Sequence, residues 1–409
     1  MKSVIPPEFI RRIPKTDLHV HLDGSLRLST LIELAQADNV ELPSYDEEGL
    51  KRLVFKDHYA SLPEYLKGFA YTVSVMQNPE NIERIAYELA QDNLDEGVRY
   101  LEVRFAPQLH NHSNFPIADV VRAVAAGMDR AKQEHNQRPG IPSGDDIPFE
   151  YGIICCALRS FNEHMSSYYS GIINLMSYAP RKEVFSAASL EIARAAVVLA
   201  QEEGLPVVGF DLAGEEAGYP ADDHKDAFMY AHKHFLRKTV HAGEAYGPES
   251  IFQAITDCHA NRIGHGTFLF AEDMIKNPVI KDPGKYIHYL AEYIASQRIN
   301  IEVNLTSNLQ TTPSIKSVAD HPIKQMLAHN LSVSICTDNR LVSNTSVSKE
   351  FELLVDQLPL TRQQFRNLVT AGFKGSFYPG SYTEKRRFVR QALDRYDKLE
   401  RECLEPAQP

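Results

Sequence analysis

The chain has 409 residues, 43% of them hydrophobic and 24% charged, an ordinary globular balance that can bury a large core. Its formal net charge of -11 argues against a nucleic-acid backbone or an anionic membrane as the main partner, because both attract basic surfaces. No apolar run approaches the roughly 18 residues of a membrane span, and residues 1–14 contain no segment resembling a signal peptide.

In chain order, residues 17–22 form the first predicted strand. A long stretch, 31–76, follows it and carries Leu53, Val54, Phe55, Leu62, Tyr65, Leu66 and Phe69; its place after the first strand predicts a helical cap over a barrel mouth. Helical periodicity over 82–96 then leads into a strand at 100–105, a helix at 117–134, a surface loop rich in Pro, Gly and Asp at 138–148, and a strand at 150–156. The alternation continues with a helix at 189–203, strands at 207–212 and 238–241, and a helix at 248–259. Strands at 262–264, 300–304 and 332–337 complete eight. Residues 359–409 turn into charged helices with no barrel element left to build. Eight strands alternating with helices predict a closed (β/α)8 barrel, one domain over 1–409, rather than an open doubly wound sheet. An open sheet would carry its own ligand signal at a switch point, and neither G-x-G-x-x-G nor G-x-x-x-x-G-K-[ST] occurs.

His19 and His21 lie two apart on the first strand, so both imidazoles project from one face, near the end that reaches the mouth of a barrel. The H-x-H spacing occurs three times. His110 and His112 fall in a loop, and His232 and His234 fall in a helical context where positions i and i+2 point apart, so only the first pair suits a metal. Three later strand ends carry ligand-type residues: His241 before Ala-Gly-Glu244, His265 in Arg-Ile-Gly-His, and Asp338 before Asn339. A lone histidine is usually a satisfied polar residue, but four ligand-capable strand ends in one chain point to a metal site. Neutral imidazoles and a carboxylate suit zinc, which lowers the pKa of bound water to about 7. Glu244 could then move a proton to the substrate. Cys155, Cys156, Cys258, Cys336 and Cys403 form no C-x-x-C pair, which removes the class of zinc deaminases that carries an H-x-E and P-C-x-x-C signature and makes a reducing cytoplasm the expected location.

Five ordered motifs from about Ile13 to Ser346 resemble those of the adenosine deaminase family of amidohydrolase barrels: Thr-Asp-Leu-His-Val-His-Leu-Asp-Gly-Ser, Gly-Phe-Asp-Leu-Ala-Gly-Glu-Glu, His-Ala-Gly-Glu, Arg-Ile-Gly-His-Gly and Thr-Asp-Asn. The resemblance implies one zinc ion held by His19, His21, His241 and Asp338. It implies Glu244 as proton donor to purine N1 and His265 as the base and orienter of the water. His21, Asp23 and Gly214 would meet the substrate, Asp23 at the ribose and the Gly214 N–H at purine N3. The implied reaction is hydrolytic deamination of adenosine, with 2′-deoxyadenosine, to an inosine-type product. One common form of the last motif has Asp and then Pro where this chain has Asn339 and Arg340. That departure touches base recognition, since Asn339 would face purine N7. It leaves open a related substrate such as adenine, a modified AMP, or a nucleoside with an acidic tail meeting Arg340. A cyclic-amide hydrolase and a catalytically dead relative are the readings from other classes.

Overall fold

Each of the eight apolar runs becomes a strand in a computed structural model of the chain, which describes residues 5–60 and 62–404. Residues 1–4, 61 and 405–409 and the side chains of Leu62 and Pro63 lie outside the described residues. The strands are β1 (Lys15–His21), β2 (Val98–Phe105), β3 (Glu150–Leu158), β4 (Val207–Ala213), β5 (Arg237–Ala242), β6 (Arg262–His265), β7 (Asn300–Val303) and β8 (Ser332–Ile335). All neighbours are parallel and stand in sequence order, the arrangement of a (β/α)8 barrel.

Among the described residues, the backbone bridge that closes the end of β8 onto β1 is made by Asp338, beside bonds from Thr337 to the Asp17 carboxylate. Asp338 donates its backbone N–H to His19 O at 2.8 Å and accepts from His21 N–H at 2.7 Å. It does so at φ +63°, which turns the chain sharply, so β8 ends before the predicted 337. Likewise β7 stops at Val303, one residue before the predicted end, because Asn304 begins the helix Leu305–Thr311.

The barrel interior carries a charged layer beneath its mouth. Glu102 and Arg104 of β2, Asp211 of β4, Arg262 of β6 and Glu302 of β7 are all at most 1% exposed. Buried charges must be paired, and these are. Arg104 bonds Asp211 at 2.8 Å and Glu302 at 2.9 Å, while Arg262 bonds Glu302 at 2.6 Å and also Glu102. Removing one partner from such a group costs about 3–5 kcal/mol, because its counter-charge stays buried.

Between β1 and the helix Pro79–Asp95 lie four short helices, Leu28–Ala37, Glu47–Leu53, Leu62–Leu66 and Phe69–Ser74. Phe55, Tyr59 and Tyr65 are buried there, whereas Leu53 is half exposed. Two hydroxyls tie this segment to the loop after β8: Tyr59 donates to Val342 O at 3.1 Å, and Tyr65 bonds the Ser343 hydroxyl at 2.8 Å. At the far end, helices Arg362–Gly375 and Tyr382–Leu404 pack against the N-terminal helix Pro7–Arg12, with Phe9 and Tyr396 edge-to-face at 5.5 Å. Among the described residues no helix is long and apolar enough to cross a membrane.

Candidate metal centre and active site

The alternation of β1 sends His19 and His21 to the same side, where they meet His241 from the end of β5. Nε2 of His241 lies 3.1 Å from Nε2 of His19 and 3.1 Å from Nε2 of His21. Asp338 Oδ1 is 3.4 Å from both of the β1 nitrogens. Carboxylates behind the rings set their direction: His19 Nδ1 donates to Glu302 at 2.8 Å and His241 Nδ1 to Asp211 at 3.2 Å. Arg104 and Arg262 hold Glu302 well below the usual carboxylate range against the penalty of burial, and His241 and Arg104 do the same for Asp211. Both acceptors are therefore ionised, and the protons of His19 and His241 stay on Nδ1.

The Nε2 atoms of His19 and His241 face each other at 3.1 Å; in neutral rings that donate from Nδ1 both atoms carry lone pairs, an arrangement that is repulsive by itself and favourable around a cation. Tetrahedral zinc with Zn–N of about 2.0–2.1 Å has ligand-to-ligand edges of about 3.4 Å. The separations of 3.1–3.4 Å fit that size, and three imidazoles with a carboxylate fit its chemistry. Ser307 donates to the other oxygen of Asp338 at 2.6 Å, leaving Oδ1 toward the imidazoles. Gly264 eases this packing, since a Cβ there would stand 3.0 Å from His19 Cε1, a tight contact for which the ring would have to give way.

His265 joins the same cluster. Its donor atom and those of His19, His241 and Asp338 all lie within 4.8 Å of one another, so it competes by distance with His21 as the third imidazole. Its Nε2 is 3.9 Å from Glu244 Oε1. Burial, reinforced by the charge of Asp338, raises the Glu244 carboxyl to about 8, so it is protonated at neutral pH. The other two H-x-H pairs stay apart from this centre. His110 and His112 bond the carbonyls of Met76 and Gln77, His232 stacks on His259, and His234 bonds Tyr230 O.

A cavity of about 420 Å³ opens beside the cluster, lined by His21, Asp23, Gly214, His241, Glu244, His265, Asp338 and Asn339. Its remaining walls are mostly apolar, with Leu66 and Phe69 from the segment after β1 and Phe161 and Phe185 opposite. Gly214 adopts φ +96° at the end of β4, a conformation that favours glycine. Asp23 Oδ1 is buried without a partner. Asn339 donates from Nδ2 to the Tyr65 hydroxyl at 2.8 Å, and its own Oδ1 is buried without a partner. Gly24 makes room for that amide, because a Cβ there would fall 1.9 Å from Oδ1. Arg340 turns away from the cavity: it pairs with Glu96 at 2.6 Å and bonds Asn93 at 3.2 Å.

Four participants went unassigned in the sequence. Tyr65 holds Asn339. Glu302 and Asp211 orient imidazoles; a charged residue inside an apolar strand run is the signal that could have found them. Glu216, the second glutamate of the Ala-Gly-Glu-Glu motif, accepts from the N–H groups of Gly243, Glu244, Ala245 and Tyr246 at 2.6–3.0 Å, and from the Ser250 hydroxyl. It thereby fixes the loop that carries Glu244.

Residues 14–395 match the family model described as adenosine deaminase. The chain is 38% identical over 350 residues to an adenosine deaminase of Mycolicibacterium vanbaalenii, covering 85% of each protein. It is 33% identical over 371 residues to a probable adenosine deaminase of Dictyostelium discoideum, which is 90% of this chain and 41% of that longer protein. A solved amidohydrolase from Burkholderia ambifaria with bound Zn shares the fold, at a TM-score of 0.74 and 19% identity over 97% of this chain and 94% of that one. A family match over nearly the whole length, with a relative 38% identical across most of both proteins, makes this chain a member of the adenosine deaminase family.

Proposed function

We propose that the chain deaminates adenosine, and 2′-deoxyadenosine, to the inosine-type nucleoside and ammonia, with one zinc ion held by His19, His21, His241 and Asp338. The observation that carries the reading is the convergence of those four side chains, at 3.1–3.4 Å, on the wall of a nucleoside-sized cavity that also holds a protonated Glu244. When bound, zinc supplies an acidified water as nucleophile at neutral pH.

The residues of the chain do the rest. The purine lies between the apolar walls with C6 toward the histidines. Glu244 delivers its proton to N1 as the water oxygen adds to C6, which keeps negative charge from building on the ring. His265 orients the attacking oxygen. The Glu244 carboxylate then takes the proton of the added hydroxyl and passes it to the amino nitrogen, the C6–N bond breaks, and ammonia leaves as the C6 carbonyl forms. Asp23 meets the ribose, the Gly214 N–H meets N3, and Asn339 offers its second N–H to N7.

Three features favour adenosine over its relatives. Among the described residues the cavity lining includes no Lys or Arg, so a phosphate would find no cation there. Arg340, the one candidate for an acidic tail, is engaged with Glu96. The unpartnered Asp23 Oδ1 calls for a donor that a ribose hydroxyl supplies and free adenine does not. A cytoplasmic location is supported by free thiols at Cys155, Cys156, Cys258, Cys336 and Cys403.

The test is the absorbance change with adenosine, 2′-deoxyadenosine, adenine and AMP side by side, together with elemental analysis. Adenosine is expected to lead, with about one zinc per chain and activity abolished by chelation and restored by zinc. Preference for AMP or adenine would overturn the substrate, and two tightly bound metals per chain would overturn the single-ion site.

A further inference from the structure

Behind His265, on the side away from the cavity, runs a chain of three buried polar contacts. His265 Nδ1 lies 3.1 Å from Nδ2 of Asn308. Asn308 Oδ1 lies 3.1 Å from Nε2 of His321. The Nδ1 of His321 accepts the backbone N–H of Ile323 at 3.1 Å. All three side chains are at most 2% exposed.

Each contact decides the next. A backbone N–H can only donate, so Nδ1 of His321 carries a lone pair. The ring is therefore neutral, with its single proton on Nε2, and burial, which lowers it to about 3, agrees. That Nε2–H donates to Asn308, which assigns the amide oxygen to this side and turns the NH2 toward His265. An amide NH2 can only donate, so Nδ1 of His265 is the acceptor. An imidazolium would set two N–H groups against each other at 3.1 Å, which excludes it at this contact. The one remaining proton of His265 is on Nε2, the atom that reaches the cluster and stands 3.9 Å from Glu244.

We infer that Asn308 and His321 are positioning residues that lock His265 in its Nε2–H tautomer, so that it presents an N–H and not a lone pair to the reaction centre. Two consequences follow, both resting on the proposed deaminase reading. His265, although close enough, is unsuited as a metal ligand, and His21 takes the third imidazole place. In the resting state His265 is a hydrogen-bond donor to the attacking oxygen and has no vacant nitrogen facing it to take a proton.

The test uses the full chain labelled with ¹⁵N-histidine, with and without one equivalent of zinc. Nitrogen shifts and two-bond couplings separate the two neutral tautomers, and the His265 and His321 signals are assigned by their loss in single variants. Both rings are expected as Nε2–H. In Asn308→Asp the carboxylate can only accept, so the His265 proton should move to Nδ1. The zinc content should hold, KM should change by less than about threefold, and kcat should fall about 10²-fold, the scale of a lost preorganised donor. An Nδ1–H His265 in the unsubstituted protein would overturn the lock, and that spectrum decides even if Asn308→Asp does not fold. A tautomer that switches in the variant with kcat unchanged would overturn its role in the reaction. Failure of the substrate reading is distinguishable: a protein inert toward adenosine can still show the Nε2–H signal, and an active one can lack it.

Discussion

Glu216→Gln isolates the geometry around Glu244 without touching the metal ligands. The substitution keeps the volume and exchanges one acceptor oxygen for an NH2 group. Oε2 accepts three backbone N–H groups, from Glu244, Ala245 and Tyr246, whereas Oε1 accepts one, from Gly243, plus the Ser250 hydroxyl. The amide will therefore place its oxygen at the Oε2 position, where three bonds survive, and its NH2 will oppose Gly243 N–H. Ser250 can rotate to accept. One buried N–H without an acceptor costs about 1–3 kcal/mol, and three charge-assisted bonds weaken to neutral ones. Relief of a buried charge offsets part of this, leaving about 2–4 kcal/mol of lost stability. The loop that loosens is the one carrying Glu244, and a misplacement of about 1 Å at a reacting group can cost about 10²-fold. The expected result is kcat lower by about 10- to 100-fold, zinc content unchanged, and a lower urea midpoint. A variant with kcat within about twofold of the unsubstituted enzyme would refute the argument that Glu216 holds the proton donor in place.

Glu244→Gln should keep its zinc, because the four ligands lie elsewhere, and lose at least about 10²-fold in kcat, the general acid–base scale; near-normal turnover would remove Glu244 from the mechanism. 7-Deazaadenosine should be a poorer substrate than adenosine by about 5- to 150-fold, the loss of one buried hydrogen-bond partner, and Asn339→Ala should make the two converge as adenosine falls. Equal rates on both nucleosides with the unsubstituted enzyme would mean that Asn339 serves Tyr65 alone. Glu350 gives a pH test of stability: burial raises its carboxyl from 4.5 to about 7, opposed by donors from Thr306 and Thr345. An acid raised by folding contributes stability that is fully present below about pH 4.5 and lost as pH rises through about 7. Glu350→Gln cannot titrate, so relative to the unsubstituted chain it should gain up to about 3 kcal/mol between pH 4.5 and 8 in denaturant melts. A pH-independent difference would contradict the shift.

The strands and their order were legible because each parallel strand, buried on both faces, reads as a short apolar run between helical stretches. The pairing within the barrel was not. Leu101-Glu-Val-Arg-Phe105 announces two charges on one face of β2, but their partners Asp211, Arg262 and Glu302 lie 107 to 198 residues away. Local sequence says that such charges need partners and cannot say which. Tyr65 was read only as one apolar residue of the cap, because nothing in its neighbourhood foretells a bond to Asn339, 274 positions later. Arg340, beside Asp338 in sequence, leaves two readings open: a partner for an acidic tail at the mouth, or the commoner structural ion pair. The turn at Asp338 and the bond from Arg340 N–H to the Ser25 hydroxyl at 3.0 Å direct it outward to Glu96.

That same turn binds the fold to the chemistry. His265 and Asp338 end consecutive motifs at φ +65° and φ +63°, conformations that cost an L-residue about 1–3 kcal/mol unless the surroundings impose them. For Asp338 the surroundings do: its N–H and C=O are both bonded to β1, on either side of Val20, and among the described residues no other backbone bridge joins the end of β8 to β1. The residue that closes the barrel therefore also aims its carboxylate at His19 and His21 from a backbone position that β1 itself fixes. Strand closure sets the spacing between the two histidines and the carboxylate, so the barrel cannot close in this register without assembling three of the four proposed ligands. A change that preserves the carboxylate but relaxes the turn would loosen the site as surely as one that removes it.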